Sequence, residues 1–286
     1  MEIQSDLWLL LIVGGVGVAL VLYFVAKRAL SGFVEQMELP KPDLCQGFES
    51  ENAYCVNLGV TTVYLLKGKD GYLVIDTGYP QDYDKFRDGL ARLGVGLDEI
   101  KALLLTHGHD DHAGFAARLV EGSGARLIVH REDVPLLRGE QVTHQGMNFL
   151  NWRVFVLVML YMLVARRDFG YPPVTPSDEN IVLDGDDDSV LRRLGFDAKV
   201  IATPGHTKGS ISVVTPNGEV FCGDAVMSFL PISGARLRPI FIADKDEVFA
   251  SWRKILDSGA GVIYPAHGKP VTGQQLAVAL QKFRPR

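Results

Sequence analysis

Residues 106–114 read THGHDDHAG, which places His107, His109, Asp111 and His112 within six positions, directly after the apolar run KALLL. Imidazole and carboxylate donors at that density suit a divalent transition metal, and zinc, iron and manganese all accept such a set. A tight loop is required, because neighbours on a straight strand point to opposite faces. Three more donors occupy comparable places: His206 in TPGHTKGS, Asp224 in FCGDAV and His267 in YPAHG. Each stands where a strand-like run gives way to a loop, the position at which open sheets gather ligands. A solvated His-rich loop would account for THGHDDHAG alone, but not for three further donors at strand ends. The chain has seven histidines. Five fall in this pattern, while His130 and His144 lack local partners and read as structural or surface residues.

Alternating strands and helices must position these donors. YCVNL and TTVYLLK are strand-like runs, and GKDG turns the chain before the strand YLVID. Residues 82–93 set Tyr83, Phe86, Leu90 and Leu93 on one helical face, with Gly94 as a stop. KALLL reads as a short buried strand, followed by a helix through HAGFAARLV, the strand ARLIVH and a helix in REDVPLLRG. Further strands lie at DAKVIATP, SISVV, EVFCGD and VIYPA. Asp244 with Glu247 and Thr272 with Gln275 have capping-box spacing before two C-terminal helices. No repeat at solenoid spacing occurs.

In this order the motifs resemble those of the metallo-β-lactamase-fold hydrolases: HxHxDH at residues 107–112, then His206, Asp224 and His267, with VIDTG matching the family's first motif. The resemblance covers roughly residues 52–283. It implies an α/β fold, an αββα four-layer sandwich with the site at the edge between two sheets. It also implies that His107, His109 and His206 hold one metal ion and Asp111, His112 and His267 a second, with Asp224 bridging. Asp76 would orient the site from behind the ligands. Two divalent ions, zinc first and iron or manganese as alternatives, would lower the pKa of a shared water toward neutrality. Asp111 or a water would handle the proton. The acidic residue at 224 makes the chain look more like the glyoxalase-II-type thioesterases and lactonases than the true zinc β-lactamases. Cys222, two residues earlier, reads as a packed strand thiol.

The expected activity is therefore metal-dependent hydrolysis of an ester, thioester or lactone. A phosphodiesterase acting on a phospholipid or nucleotide, the alternative reading, uses the same two-metal chemistry. A mononuclear iron enzyme acting on persulfides could draw on His107, His206 and Asp224. A closed structural metal site fits least, because seven donors shared by two ions leave positions open. The formal net charge of −5 offers no broad basic surface, so no nucleic-acid partner is expected.

Residues 7–26, LWLLLIVGGVGVALVLYFVA, are uncharged over one hydrocarbon thickness, about 30 Å as a helix. Glu2 and Asp6 precede the run and Lys27 and Arg28 follow it, so the positive-inside rule predicts a single-pass anchor with the catalytic domain in the cytoplasm. A cleaved export signal is the competing reading. The expected organisation is an anchor at 1–28, a linker at 29–50 and a hydrolase domain at 51–286. Three cysteines form no disulfide framework, although a Cys45–Cys55 bridge is open in an oxidising compartment. An insert around 139–180 contains RVFVLVMLYMLVARR, residues 153–167. Twelve apolar residues are too few to span a bilayer. A core helix, a homodimer interface and a membrane-contacting lid that admits a lipid-like substrate are the three readings of this run.

Overall fold

The structure, a computed structural model, describes residues 45, 47–139, 148–164, 170–174, 179–229 and 233–283. The expected anchor, nearly all of the linker, His144 and the pair Arg166 and Arg167 lie outside the described residues. Among the described residues no helix is long and apolar enough to cross a membrane.

Two sheets face each other. The first has the order β1-β2-β3-β4-β5-β7, formed by β1 (Ala53–Asn57), β2 (Thr62–Lys67), β3 (Tyr72–Ile75), β4 (Ile100–Leu104), β5 (Arg126–His130) and β7 (Ile181–Leu183). β3, β4, β5 and β7 are parallel, while β1 and β2 continue the sheet antiparallel. The second has the order β13-β12-β10-β9-β8, from β8 (Lys199–Ala202), β9 (Ile211–Val214), β10 (Glu219–Gly223), β12 (Val262–Pro265) and β13 (Val271–Thr272). β8, β10 and β12 run in one direction. A two-stranded ribbon pairs β6 (Asn148–Phe149) with β11 (Phe241–Ile242).

Side-chain alternation along the strands builds three apolar layers. In β2, Tyr64 and Leu66 face the gap between the sheets, where they meet Phe221 of β10 and Tyr264 of β12. Val63 and Leu65 point the other way, against helices α1 (Tyr83–Leu93) and α3 (Ala116–Ser123), which flank the short α2 (Asp110–Ala113). The outer face of the second sheet uses Val220, Cys222 and Ile263 to pack Phe249, Trp252 and Leu276. Those residues belong to α7 (Lys245–Asp257) and α8 (Gly273–Phe283). The result is the layered order helix, sheet, sheet, helix. Two shorter helices, α4 (Val134–Leu137) and α6 (Val190–Arg193), lie in connections, and α5 (Trp152–Val164) lies in the insert.

Helix ends follow the expected chemistry. The Thr272 hydroxyl accepts from Gln275 N at 3.1 Å and Gln275 returns its amide oxygen to Thr272 N at 2.8 Å. Asp244 accepts from the backbone of Asp246 and Glu247 ahead of α7. The expected helix over HAGFAARLV is two pieces, α2 and α3, because the backbone leaves the helical conformation at Phe115 (φ −112°, ψ 18°). Cys45 and Cys55 form a disulfide, the pairing left open by the sequence. Cys222 is buried among the carbonyls of Gly223, Val226 and Tyr264.

Helix α5 is not enclosed in the core. Val154 is fully buried, but Trp152 is 72% exposed and Phe155, Val156, Met159, Leu160 and Met162 are also exposed.

Candidate metal centre

The parallel strands deliver their C-terminal ends to one edge of each sheet, and the two edges meet. Asp76 follows β3, and His107 and His109 follow β4. Asp111 and His112 lie on α2. His206, Asp224 and His267 follow β8, β10 and β12 of the other sheet. All of these except Asp111 are buried, and all seven expected donors converge.

Three imidazoles form a triangle. His107 Nε2 lies 3.0 Å from His109 Nδ1, and His206 Nε2 lies 3.1 Å and 3.0 Å from those two atoms. Nitrogens about 2.0–2.1 Å from one tetrahedral ion would be about 3.3 Å apart, so this triangle closes on a cation with little adjustment. Beside it, His267 Nε2 is 3.3 Å from His112 Nε2 and 3.1 Å from Asp111 Oδ2. Asp224 lies between the groups. Its Oδ1 is 3.4 Å and 3.3 Å from Nε2 of His112 and His267, while its Oδ2 is 3.4 Å from Nε2 of His206. That Oδ1 is buried and has no hydrogen-bond donor among the described residues. Buried carboxylate oxygens are normally satisfied, and a cation satisfies this one. Three overlapping groups are close enough to hold metal ions: His107, His109 and His206; His107, His112 and Asp224; Asp111, His112 and His267.

The ring nitrogens of His206, His267 and His112 that turn away from the centre are held. Nδ1 of His206 donates to the Phe241 carbonyl and Nδ1 of His267 to the Val60 carbonyl, both at 2.8 Å. Nδ1 of His112 meets Asp76 Oδ2 at 3.0 Å. These partners fix the tautomer that leaves each Nε2 lone pair facing inward. Asp76 is itself pinned by the Thr106 N–H and hydroxyl, both at 2.7 Å. The same hydroxyl lies 3.1 Å from His107 Nδ1. Asp76 has φ 63°, a left-handed conformation that Asp tolerates better than most residues, and one that recurs where function imposes strain.

Charge in the cleft favours a cation. Burial alone would raise the Asp111 carboxyl, but His112 and His267 hold it at about 2. Burial also opposes ionisation of Asp224, yet His267 and His112 keep it well below the ordinary carboxylate range. Burial would lower His267, while Asp224 and Asp111 hold it up at about 9. The two carboxylates thus demand positive charge at these nitrogens, which protons or divalent cations supply. His206, nearer the three-histidine corner, is lowered by burial.

Three contributors were not picked out from the sequence. Asp133, between β5 and α4, accepts from Gly108 N and the Thr207 hydroxyl through Oδ2, both at 2.9 Å, and from Gly209 N through Oδ1 at 3.0 Å. It ties the loop carrying His107 and His109 to the loop carrying His206. Burial pushes its carboxyl up, against the pull of those donors. The strand-end rule could have found it, since β5 is parallel to β4 and HRED follows directly. Tyr171, on the return of the insert, donates to the Gly108 carbonyl at 2.6 Å. Thr106 is the third. His130 is structural, its Nδ1 accepting from Glu132 N at 3.2 Å.

Comparison with known proteins agrees with this geometry. Residues 56–267 match the family model described as the metallo-beta-lactamase superfamily. A probable metallo-hydrolase of Bacillus subtilis, YflN, is 24% identical over 274 residues, covering 84% of this chain and 93% of that protein. A hydroxyacylglutathione hydrolase of Erwinia tasmaniensis is 28% identical over 155 residues, covering 54% of this chain and 42% of its own length. Among solved structures, BJP-1, a subclass B3 metallo-beta-lactamase of Bradyrhizobium japonicum, superposes with a TM-score of 0.57 at 23% identity, covering 86% of this chain and 93% of that one. At that identity the likeness is one of fold.

Proposed function

The chain belongs to the metallo-β-lactamase superfamily, and from that premise we propose that it is a membrane-anchored, dinuclear metal-dependent hydrolase of an ester, thioester or lactone with a lipophilic acyl part. The observation that carries the reading is Asp224, which turns one carboxylate oxygen to His206 and the other to His112 and His267. His107, His109 and His206 would hold one ion and Asp111, His112 and His267 the other. When bound, such ions supply Lewis-acid polarisation and an activated water.

The chain's own residues do the rest. Asp76 and the Phe241 and Val60 carbonyls hold the imidazoles of His112, His206 and His267 in one tautomer. The Asp111 side chain, 15% exposed, is the donor most open to the cleft mouth and is placed to pass a proton outward. The resemblance to a hydroxyacylglutathione hydrolase supports the thioester branch.

The test uses the full chain in detergent. Metal analysis is expected to give about two equivalents per chain, with turnover of long-chain thioester, ester or lactone exceeding that of a matched phosphodiester. Fewer than one equivalent, or inertness across the panel after metal loading, would defeat the reading. Attachment is assigned to residues 7–26. Lys27 and Arg28 favour a cytoplasmic domain, whereas the Cys45–Cys55 disulfide is the chemistry of an oxidising compartment. Protease protection of the domain in sealed vesicles decides the side.

A further inference from the structure

Helix α5 turns an unbroken apolar half-cylinder outward. At about 100° per residue, the exposed Trp152, Phe155, Val156, Met159, Leu160 and Met162 share one half of its circumference. The buried Val154 and the half-buried Leu157, Val158 and Tyr161 share the other. A helix on a solvated surface shows the reverse pattern, and a contiguous apolar patch marks an interaction or membrane site. We propose that this face of α5 lies on the surface of a phospholipid bilayer, beside the N-terminal span of the same chain.

The occupant follows from three observations. The chain outside the described residues carries an uncharged run of twenty residues, 7–26, long enough to cross a bilayer. It ends 19 positions before Cys45, and the anchor proposed above, on which this contact rests, would keep the domain within reach of the membrane surface. Helix α5 has 13 residues, about 20 Å, which is too short to cross but suited to lying in the interface. Its charge is of one sign: Arg153 is exposed at the first turn, Arg166 and Arg167 follow in the sequence, and no acidic residue occurs from 141 to 167. Arginines with Trp152 at the rim match anionic headgroups. A second copy fits less well, because a two-fold antiparallel pair would bring the Arg153 end of one helix onto the arginine-rich end of the other.

The face is coupled to the metal centre by one short ribbon. Phe155 packs edge-on against Phe149 at 5.1 Å, and Phe149 packs on Phe241 at 4.9 Å. The Phe241 carbonyl is the acceptor for His206. Asn151 caps the helix by accepting from Arg153 N and Val154 N, and its amide donates to the Ser233 carbonyl. A docked α5 thus presents the cleft to molecules held in the bilayer. The contact does not depend on the hydrolase reading, but the lipophilic substrate does.

The test places a bimane label on M159C in the full chain, reconstituted in phosphatidylcholine–phosphatidylglycerol vesicles, with E121C on α3 as the water-facing reference. The expected result is a blue shift at position 159, quenching by spin-labelled lipid and protection from iodide, all weakened when phosphatidylglycerol is omitted. Iodide quenching at 159 equal to that at 121 overturns the proposal. So does shelter from both quenchers combined with oxidative cross-linking between two M159C chains, which would make the face a dimer contact. Lipid quenching without hydrolysis of any ester would keep the contact and defeat the hydrolase reading. Ester hydrolysis with iodide-accessible 159 would do the opposite.

Discussion

The metal cleft and helix α5 invert the ordinary placement of polar and apolar groups in opposite senses. In the cleft, three carboxylates, Asp76, Asp133 and Asp224, and five imidazoles are brought out of water, where each is costly unless paired. On α5, large apolar side chains are left in water, where each forgoes the stabilisation of burial. The cleft is over-determined: Thr106, Asp76 and two carbonyls hold four of the five rings, and Asp133 ties their loops together. The outward face of α5 leaves Trp152, Val156, Met159, Leu160 and Met162 exposed, and Phe155 meets Phe149 at its edge. The lesson is that the two inversions predict different responses to substitution, one structural and chemical, the other visible only in an environment the isolated domain does not supply.

The largest expected effect is at Asp224. Asp224→Asn keeps the shape but removes the negative charge that faces His206, His112 and His267. Turnover should fall by roughly 10³-fold, as expected for losing several kcal/mol of charge stabilisation, and metal content should drop below that of the native chain. If Asp224→Asn keeps full activity, the cleft is not organised as described. Next is Asp76→Asn, which keeps a residue tolerant of φ 63° while removing the charge beside His112. A loss of about 10- to 100-fold in metal affinity or activity is expected, measured by competition with a chelating dye.

Asp133→Ala should act on stability as well, because Gly108 N, Gly209 N and Thr207 would lose a buried acceptor. About 2–4 kcal/mol is expected from denaturant unfolding. Met159→Ser on the outward face should change stability by about 0.5 kcal/mol or less in detergent, which would sharpen the contrast with Asp133. The smallest effect concerns acid. Asp187 is opposed by burial but held below its ordinary 3.8 by the Val190 and Ser189 N–H groups at the start of α6. A depressed carboxyl stabilises above its unfolded pKa, and that contribution fades as pH falls below about 3.8. Wild type and Asp187→Asn should therefore differ at pH 7 and converge in acid, followed by circular dichroism.

Most of the cleft was legible because its donors cluster locally or sit at strand ends, as in THGHDDHAG and YPAHG. Asp133 was hidden because its partners are 25 to 76 residues away and its own neighbours read as a helix start. The layers followed from strand and helix alternation. The break between α2 and α3 did not, since it falls at Phe115, an apolar residue that reads as helical in sequence and is buried in the core. Hydrophobicity announced α5, but periodicity could not say which half faces outward, because both halves are apolar. The fold selects the side by burying Val154 and leaving Trp152 72% exposed. The Cys45–Cys55 pairing needs the approach of the chain before β1 to that strand, which spacing alone leaves undetermined.

The division of donors between the two sheets has a further consequence. His107 and His206 are 99 residues apart, and His112 and His267 are 155 apart, so an ion held by both sets acts as a rivet between the halves of the domain. Gly223 sits against Thr106 so closely that a β-carbon there would collide with it, which leaves no slack at the seam. A ligand that binds only the docked state adds stability in proportion to the logarithm of its free concentration, about 4 kcal/mol at a thousandfold excess over Kd. Metal supply would then govern how long the protein survives proteolysis in the cell, and starvation for the ion would remove the enzyme as well as silence it.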